Sequence, residues 1–264
     1  MNTHHVRPPA VAGMFYPGAP LALAAMVDGF LAGAPTHDGA PPPAIQVPHA
    51  GYVYSGSIAA LGFAAWRGAA IEHVVIIGPT HRVGVRALAL PDADAMATPL
   101  GDVPIWQAGV AVAGESPNVV VSAAVHAEEH ALEVQLPFLQ RLLPEVDVLP
   151  LAAGWVTPEQ TAEVLESLWG TPGMGVVISS DLSHYHPYDE ARAIDAATIE
   201  DVLALRQVDH DQACGATGLD AMMLVAARHG LTPRLLGACN SGDTAGDKRQ
   251  VVGYCSFAFD EVTA

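Results

Sequence analysis

Short apolar runs alternate with longer amphipathic segments along the whole chain, and this alternation restricts the fold more than any other feature. The runs at 44–48, 73–78, 119–123, 146–152, 175–179, 234–238 and 251–259 read as strands. Most are apolar without interruption, as in HVVIIG and GVVIS, the pattern of strands covered on both faces. Between them, the segments at 19–31, 55–66, 129–143, 158–169, 189–206 and 218–229 carry helical spacing. The one at 158–169 has Thr157 as N-cap, Pro158 at its first position and Gly170 as a stop. Strands alternating with helices predict an α/β layered fold around a mostly parallel or mixed central sheet. There is no internal repeat. The loose stretch at 33–44 reads as a loop into the first core strand, so one domain over 1–264 is expected.

Charge narrows the partners. The 264 residues include 11 Lys plus Arg against 28 Asp plus Glu, a formal net charge of −17. Binding nucleic acid or an anionic membrane needs concentrated basic residues, so both are excluded as expected partners. With 51% hydrophobic and 15% charged residues the chain is not of the disordered class. No apolar run approaches the roughly 18 residues of a membrane-spanning helix. The first residues lack the basic-then-apolar pattern of a secretory signal. Three cysteines with no CxxC pair fit a reducing compartment, and a cytoplasmic location is expected.

In open α/β sheets, ligands collect beyond the carboxyl ends of the strands. There the chain places His49 (in PHAGYVYSG), His81 (in GPTHR), Asp181 with His184 (in SSDLSHYHP), and Cys239 with Asp243 and Asp247 (in CNSGDTAGD). Four polar strand ends in succession point to one metal or acid–base site. His49 and His81 are the ligand candidates, each in a turn where Gly51, Gly56 or Gly78 permits close approach. Two histidines and a carboxylate make the donor set of a non-haem Fe(II) oxygenase, and the same set holds Zn(II). Cys239 is the thiol expected near the site, where it could pair with His184 as a nucleophile. Cys214 precedes a helix start whose dipole would lower its pKa, and Cys255 reads as inert core. Met14, Phe15 and Tyr16, together with Tyr52 and Tyr54, are candidate pocket residues.

Two motifs compete. HAEEH, 126–130, matches the H-x-x-E-H pattern of inverted zinc proteases, with His126 and His130 on one helical face and Glu129 as base. Its alternative reading is an acidic helix N-terminus. SGDTAGDK, 241–248, lacks phosphate-loop spacing and reads as a turn that supplies a carboxylate.

The ordered segments RPPAVAGMFYP, VPHAGYVYSG, IIGPTHR, HAEEHALEVQLPFLQ, ISSDLSHY, CGATG and NSGDTAGDKRQVVGY resemble the Memo family. Within it they are most similar to the bacterial and archaeal members called AmmeMemoRadiSam system protein B. The resemblance runs from about residue 6 to residue 260. It implies an α/β/α sandwich like that of the class III extradiol dioxygenases, with a metal site at one end of the sheet. It implies His49 and His81 as ligands, His184 as the acid–base residue with Asp181 beside it, and Phe15 as a pocket residue. The animal member's third ligand, a cysteine, corresponds to Thr244, so the set is completed either by neighbouring Asp243, as two histidines and one carboxylate, or by water. Fe2+ is the implied ion, with Zn2+, Cu or an unmetallated site as alternatives. A redox enzyme acting on a small molecule is the leading expectation. A peptide-binding adaptor using the same pocket and a zinc hydrolase are the others. A radical SAM protein and an AMMECR-type protein are the implied pathway partners.

Overall fold

The uninterrupted apolar runs pair with one another mid-sheet, where both of their faces are covered. A computed structural model describes residues 5–37 and 39–262. In chain order the first half holds β1 (Val6–Arg7), α1 (Pro20–Gly33), β2 (Ala44–Val47), α2 (Tyr52–Ala64), β3 (His73–Pro79), β4 (Leu88–Leu90), β5 (Ala95–Thr98), β6 (Gly101–Pro104), α3 (Gln107–Ala113), β7 (Val119–Val121) and α4 (Ala123–Ala127). The second half holds α5 (Leu136–Leu142), β8 (Asp147–Ala153), α6 (Pro158–Leu168), β9 (Met174–Ser179), β10 (His184–His186), α7 (Tyr188–Leu203), α8 (Ala216–His229), β11 (Leu231–Asn240) and β12 (Val251–Glu261).

The main sheet has the order β10-β12-β2-β9-β3-β8-β4-β7, and β11 pairs with β12. β2, β9, β3 and β8 are mutually parallel, whereas β12 and β4 flank them antiparallel. Alternate residues of the parallel strands feed two cores. Ile45, Val47, Val74, Ile76 and Val177 pack with Leu23 and Val27 of α1, Phe63 of α2 and Phe138 of α5. Ala44, Val75, Ile77, Val176 and Ile178 pack with Leu165 of α6 and with Leu219 and Met222 of α8. Each buried Val, Ile or Leu contributes roughly 1.5–3 kcal/mol relative to exposure. The fold is the expected α/β sandwich with a mixed sheet. No helix among the described residues is long and apolar enough to cross a membrane.

Helix α6 starts as read: Thr157 and Gln160 form a reciprocal capping box with Pro158 inside it. The 129–143 segment does not form one helix. Ser122 caps α4, which ends at Ala127, and a 3₁₀ turn over Glu133–Gln135 leads into α5, where Pro137 occupies the first turn. The helix breaks because Glu129 bonds to the following backbone N–H groups of His130 and Ala131 (both 2.9 Å), competing with helical pairing. A second sheet of order β1-β5-β6 had no signal in the hydrophobic pattern.

That small sheet begins with a residue that organises the region. Arg7 is buried, pairs with the Glu133 carboxylate, and donates to the carbonyls of His126 (2.9 and 2.7 Å) and Glu129 (2.6 Å). Glu133 also accepts from the N–H groups of Ala10 (2.7 Å) and Val11 (3.0 Å) and from the Tyr16 hydroxyl (2.5 Å). The N-terminal motif is thus tied to the chain on either side of His130.

Candidate metal centre

Because β2, β9 and β3 run parallel and in register, their carboxyl ends lie side by side. Val47 pairs with Ser179, and Ile77 with Ile178. The residues just beyond, His49, Asp181 and His81, line the floor of one cavity of about 990 Å³. His130, His184, Cys214, Phe15, Tyr54 and Tyr254 join them in its wall.

Both floor imidazoles have fixed tautomers. The Ser179 hydroxyl donates to the carbonyl of Ala131 (2.7 Å), so its lone pairs accept from Gln135 Nε2 (2.9 Å) and from His49 Nδ1–H (2.9 Å). The Glu129 carboxylate accepts from His81 Nδ1–H (2.9 Å). In the neutral form of each ring the second nitrogen, Nε2, is the unprotonated one, as a metal ligand requires. Close packing allows this. A Cβ on Gly78 would lie 3.0 Å from Leu132 and 3.2 Å from both Ala131 and Ser179, so the bare glycine admits the chain next to His130.

The three rings of His49, His81 and His130 face one another, with centroids 4.5–5.5 Å apart, and Phe15 packs on His130 at 4.5 Å. Burial, with the nearby His81 charge, lowers the His49 pKa to about 3. Burial also lowers that of His130, to about 4. Both rings stay neutral at ordinary pH and keep their lone pairs. Cys214 Sγ lies 3.2 Å from His49 Nε2. Burial, reinforced by the Asp181 charge, pushes the Cys214 thiol up to about 12, the opposite of the expected helix-dipole effect. The thiol donates to the imidazole, and no thiolate–imidazolium pair forms. Asp181 is buried, and its carboxylate accepts from the His49 N–H at 2.7 Å. Its bond goes to the His49 turn, not to the His184 ring. Burial raises its pKa.

A family profile described as Memo-like protein matches residues 7–258. The chain belongs to the Memo family. It is 35% identical over 270 residues to a MEMO1 family protein of Aquifex aeolicus, covering 96% of this chain and 99% of the relative. It is 31% identical over 289 residues to one of Sulfolobus acidocaldarius (97% and 100%), and 33% identical over 269 residues to one of Archaeoglobus fulgidus (96% and 99%).

In this Memo family chain His49, His81, Asp181, His184 and Phe15 meet in the one cavity. The other candidates lie elsewhere. Asp243 accepts from the Tyr188 hydroxyl (2.5 Å) and the Asn240 N–H (3.1 Å), closing its loop against α7. Thr244 is exposed and donates to the Ser241 carbonyl (3.3 Å). Cys239 sits in β11 opposite Tyr254. Tyr52 is core: it packs against Tyr16, Phe30 and Phe138 and donates to the Val134 carbonyl (2.6 Å). His126 is buried on the carbonyl of Ala89 (2.8 Å), away from His130, so HAEEH does not present two imidazoles on one helical face.

Among the described residues, two groups of donor atoms lie within 4.8 Å of one another: His49, His81 and Cys214, and His81, Glu129 and His130. The second is poorly disposed to ligate, because Glu129 already accepts from the N–H groups of His81, His130 and Ala131 and from the His81 ring. The first combines two imidazoles with a thiol and fits a divalent transition metal. Sequence reasoning named Cys214 and His130 but did not place them at the strand-end site, which both reach from loops.

Proposed function

We propose that this Memo family protein is a metal-dependent redox enzyme acting on a small molecule, with Fe(II) held at His49 and His81. The observation that carries this reading is the pair of tautomer-fixed imidazoles on the floor of a 990 Å³ cavity. Ser179 and Glu129 hold the two rings so that only small adjustments accompany ligation. When bound, Fe(II) supplies Lewis acidity and one-electron redox chemistry. His184 in the cavity wall takes and returns a proton at its ring nitrogen. Phe15, Tyr54 and Tyr254 present apolar ring surface to the substrate and exclude water. Asp181 fixes the turn that carries His49.

Among the described residues lining the cavity there is no Lys or Arg, which leaves a phosphate group no fixed cation. A neutral small molecule suits such a cavity better than a phosphorylated peptide. The dispersed HAEEH histidines disfavour a zinc hydrolase of the H-x-x-E-H type. The radical SAM and AMMECR-type pathway partners belong to the same proposal and rest on the resemblance.

Oxygen uptake with a panel of small-molecule reductants tests this reading. Uptake that requires added Fe(II) and falls by about 10²–10⁴-fold in His184→Ala is the expected result. Uptake indifferent to iron, or unchanged by the substitution, contradicts it.

A further inference from the structure

We propose that Cys214 is the third protein donor of the metal centre, making it a two-imidazole, one-thiolate site. The proposal rests on the reading that His49 and His81 hold a metal, and it names the residue that completes the set. Donors to one tetrahedral ion lie roughly 3.5 Å apart. Cys214 Sγ is 3.2 Å from His49 Nε2, and it falls with His49 and His81 in one group spanning no more than 4.8 Å. On binding, the sulfur–metal bond forms and the thiol proton leaves to solvent.

The nearby carboxylates are committed. Asp181 holds the His49 amide, Glu129 carries four N–H bonds, and Asp243 holds Tyr188 and Asn240. Neither Cys239 nor Thr244 is among the residues lining the cavity. The placement of Cys214, in contrast, is built in. A Cβ on Gly215 would lie 2.7 Å from both the Ser179 carbonyl oxygen and the Ser180 Cβ, so the bare glycine lets this loop close on the end of β9. The Gly215 N–H donates to Ser180 Oγ (2.9 Å), and the Cys214 N–H to the Asp181 carbonyl (3.3 Å). These contacts seat the thiol from the loop before α8, not from the 241–250 loop where the resemblance would have placed the third ligand. A thiolate also moves the preference of the site towards softer ions, so Zn(II) and Cu compete with Fe(II) more strongly than at a carboxylate site.

Cobalt(II) titration followed by absorption reads this directly. The wild type is expected to bind one equivalent with a near-ultraviolet sulfur-to-cobalt charge-transfer band. Cys214→Ser, checked for folding by circular dichroism, should lose the band, and Cys239→Ser should keep it. In the wild type, bound cobalt should also protect Cys214 from alkylation by iodoacetamide, a readout independent of any variant. A band that survives in Cys214→Ser overturns the assignment. So does wild-type cobalt that depends on both histidines yet gives neither band nor protection. Cobalt binding unchanged in His49→Ala and His81→Ala overturns the metal centre itself, and the proposal with it.

Discussion

Glu133→Ala is expected to destabilise the fold by about 3–5 kcal/mol, the cost of leaving a buried charge without its partner. Arg7 is 5% exposed and Glu133 is fully buried, so water cannot replace the lost contact. The substitution also strips the acceptor from the N–H groups of Ala10 and Val11 and from the Tyr16 hydroxyl. Each such orphan adds to the loss. The surface pair Arg141–Asp28 supplies the contrast. It has good bidentate geometry, but its side chains are 41% and 48% exposed, so Asp28→Ala is expected to cost less than about 1 kcal/mol. Urea unfolding of both variants separates the cases, and a small effect at Glu133 would show that the N-terminal motif is not anchored as described.

Glu129→Gln should act on both stability and the site. Burial alone would raise the Glu129 carboxyl. The hydrogen bond and charge of His81 and the amides of Ala131 and His81 outweigh it and bring the pKa to about 2. A carboxylate held below its unfolded value of 4.5 stabilises the fold in full above that pH, and the contribution disappears as the pH falls towards 2. A shift of this size corresponds to roughly 3 kcal/mol. The wild type should therefore lose stability between about pH 4.5 and pH 2 more steeply than Glu129→Gln, which carries no such titration. At neutral pH the variant should also bind metal about 10–100-fold more weakly, because the His81 ring loses the carboxylate that fixes its tautomer. Unfolding curves across that range and a metal titration at pH 7 check the two arms. Equal pH slopes in the two proteins would contradict the first.

The strand ends were readable because parallel pairing makes position along a strand equivalent to position at the site. His49, His81 and Asp181 each follow an apolar run directly, and the register of β2, β9 and β3 then brings them together. Residues that reach the cavity from loops had no such periodic signal. Cys214 arrives through the close approach of Gly215 to Ser179 and Ser180, a contact between segments some 35 residues apart. His130 sits in a pattern that reads as helix, and only the backbone bonds of Glu129 break that helix. Asp243 looked like a ligand by its place after a strand. Its carboxylate instead joins Asn240 in a capping box and accepts from Tyr188, which a linear reading cannot distinguish from ligation. The one periodic clue to Cys214 was the helix beginning at Ala216, which marked the residue as a helix-start thiol.

The most direct test of the metal centre is elemental analysis of anaerobically purified wild type beside His49→Ala and His81→Ala. Near-stoichiometric iron in the wild type, lost in both variants, is the expected result. No iron in the wild type after reconstitution with Fe(II), or equal iron in all three proteins, would contradict it.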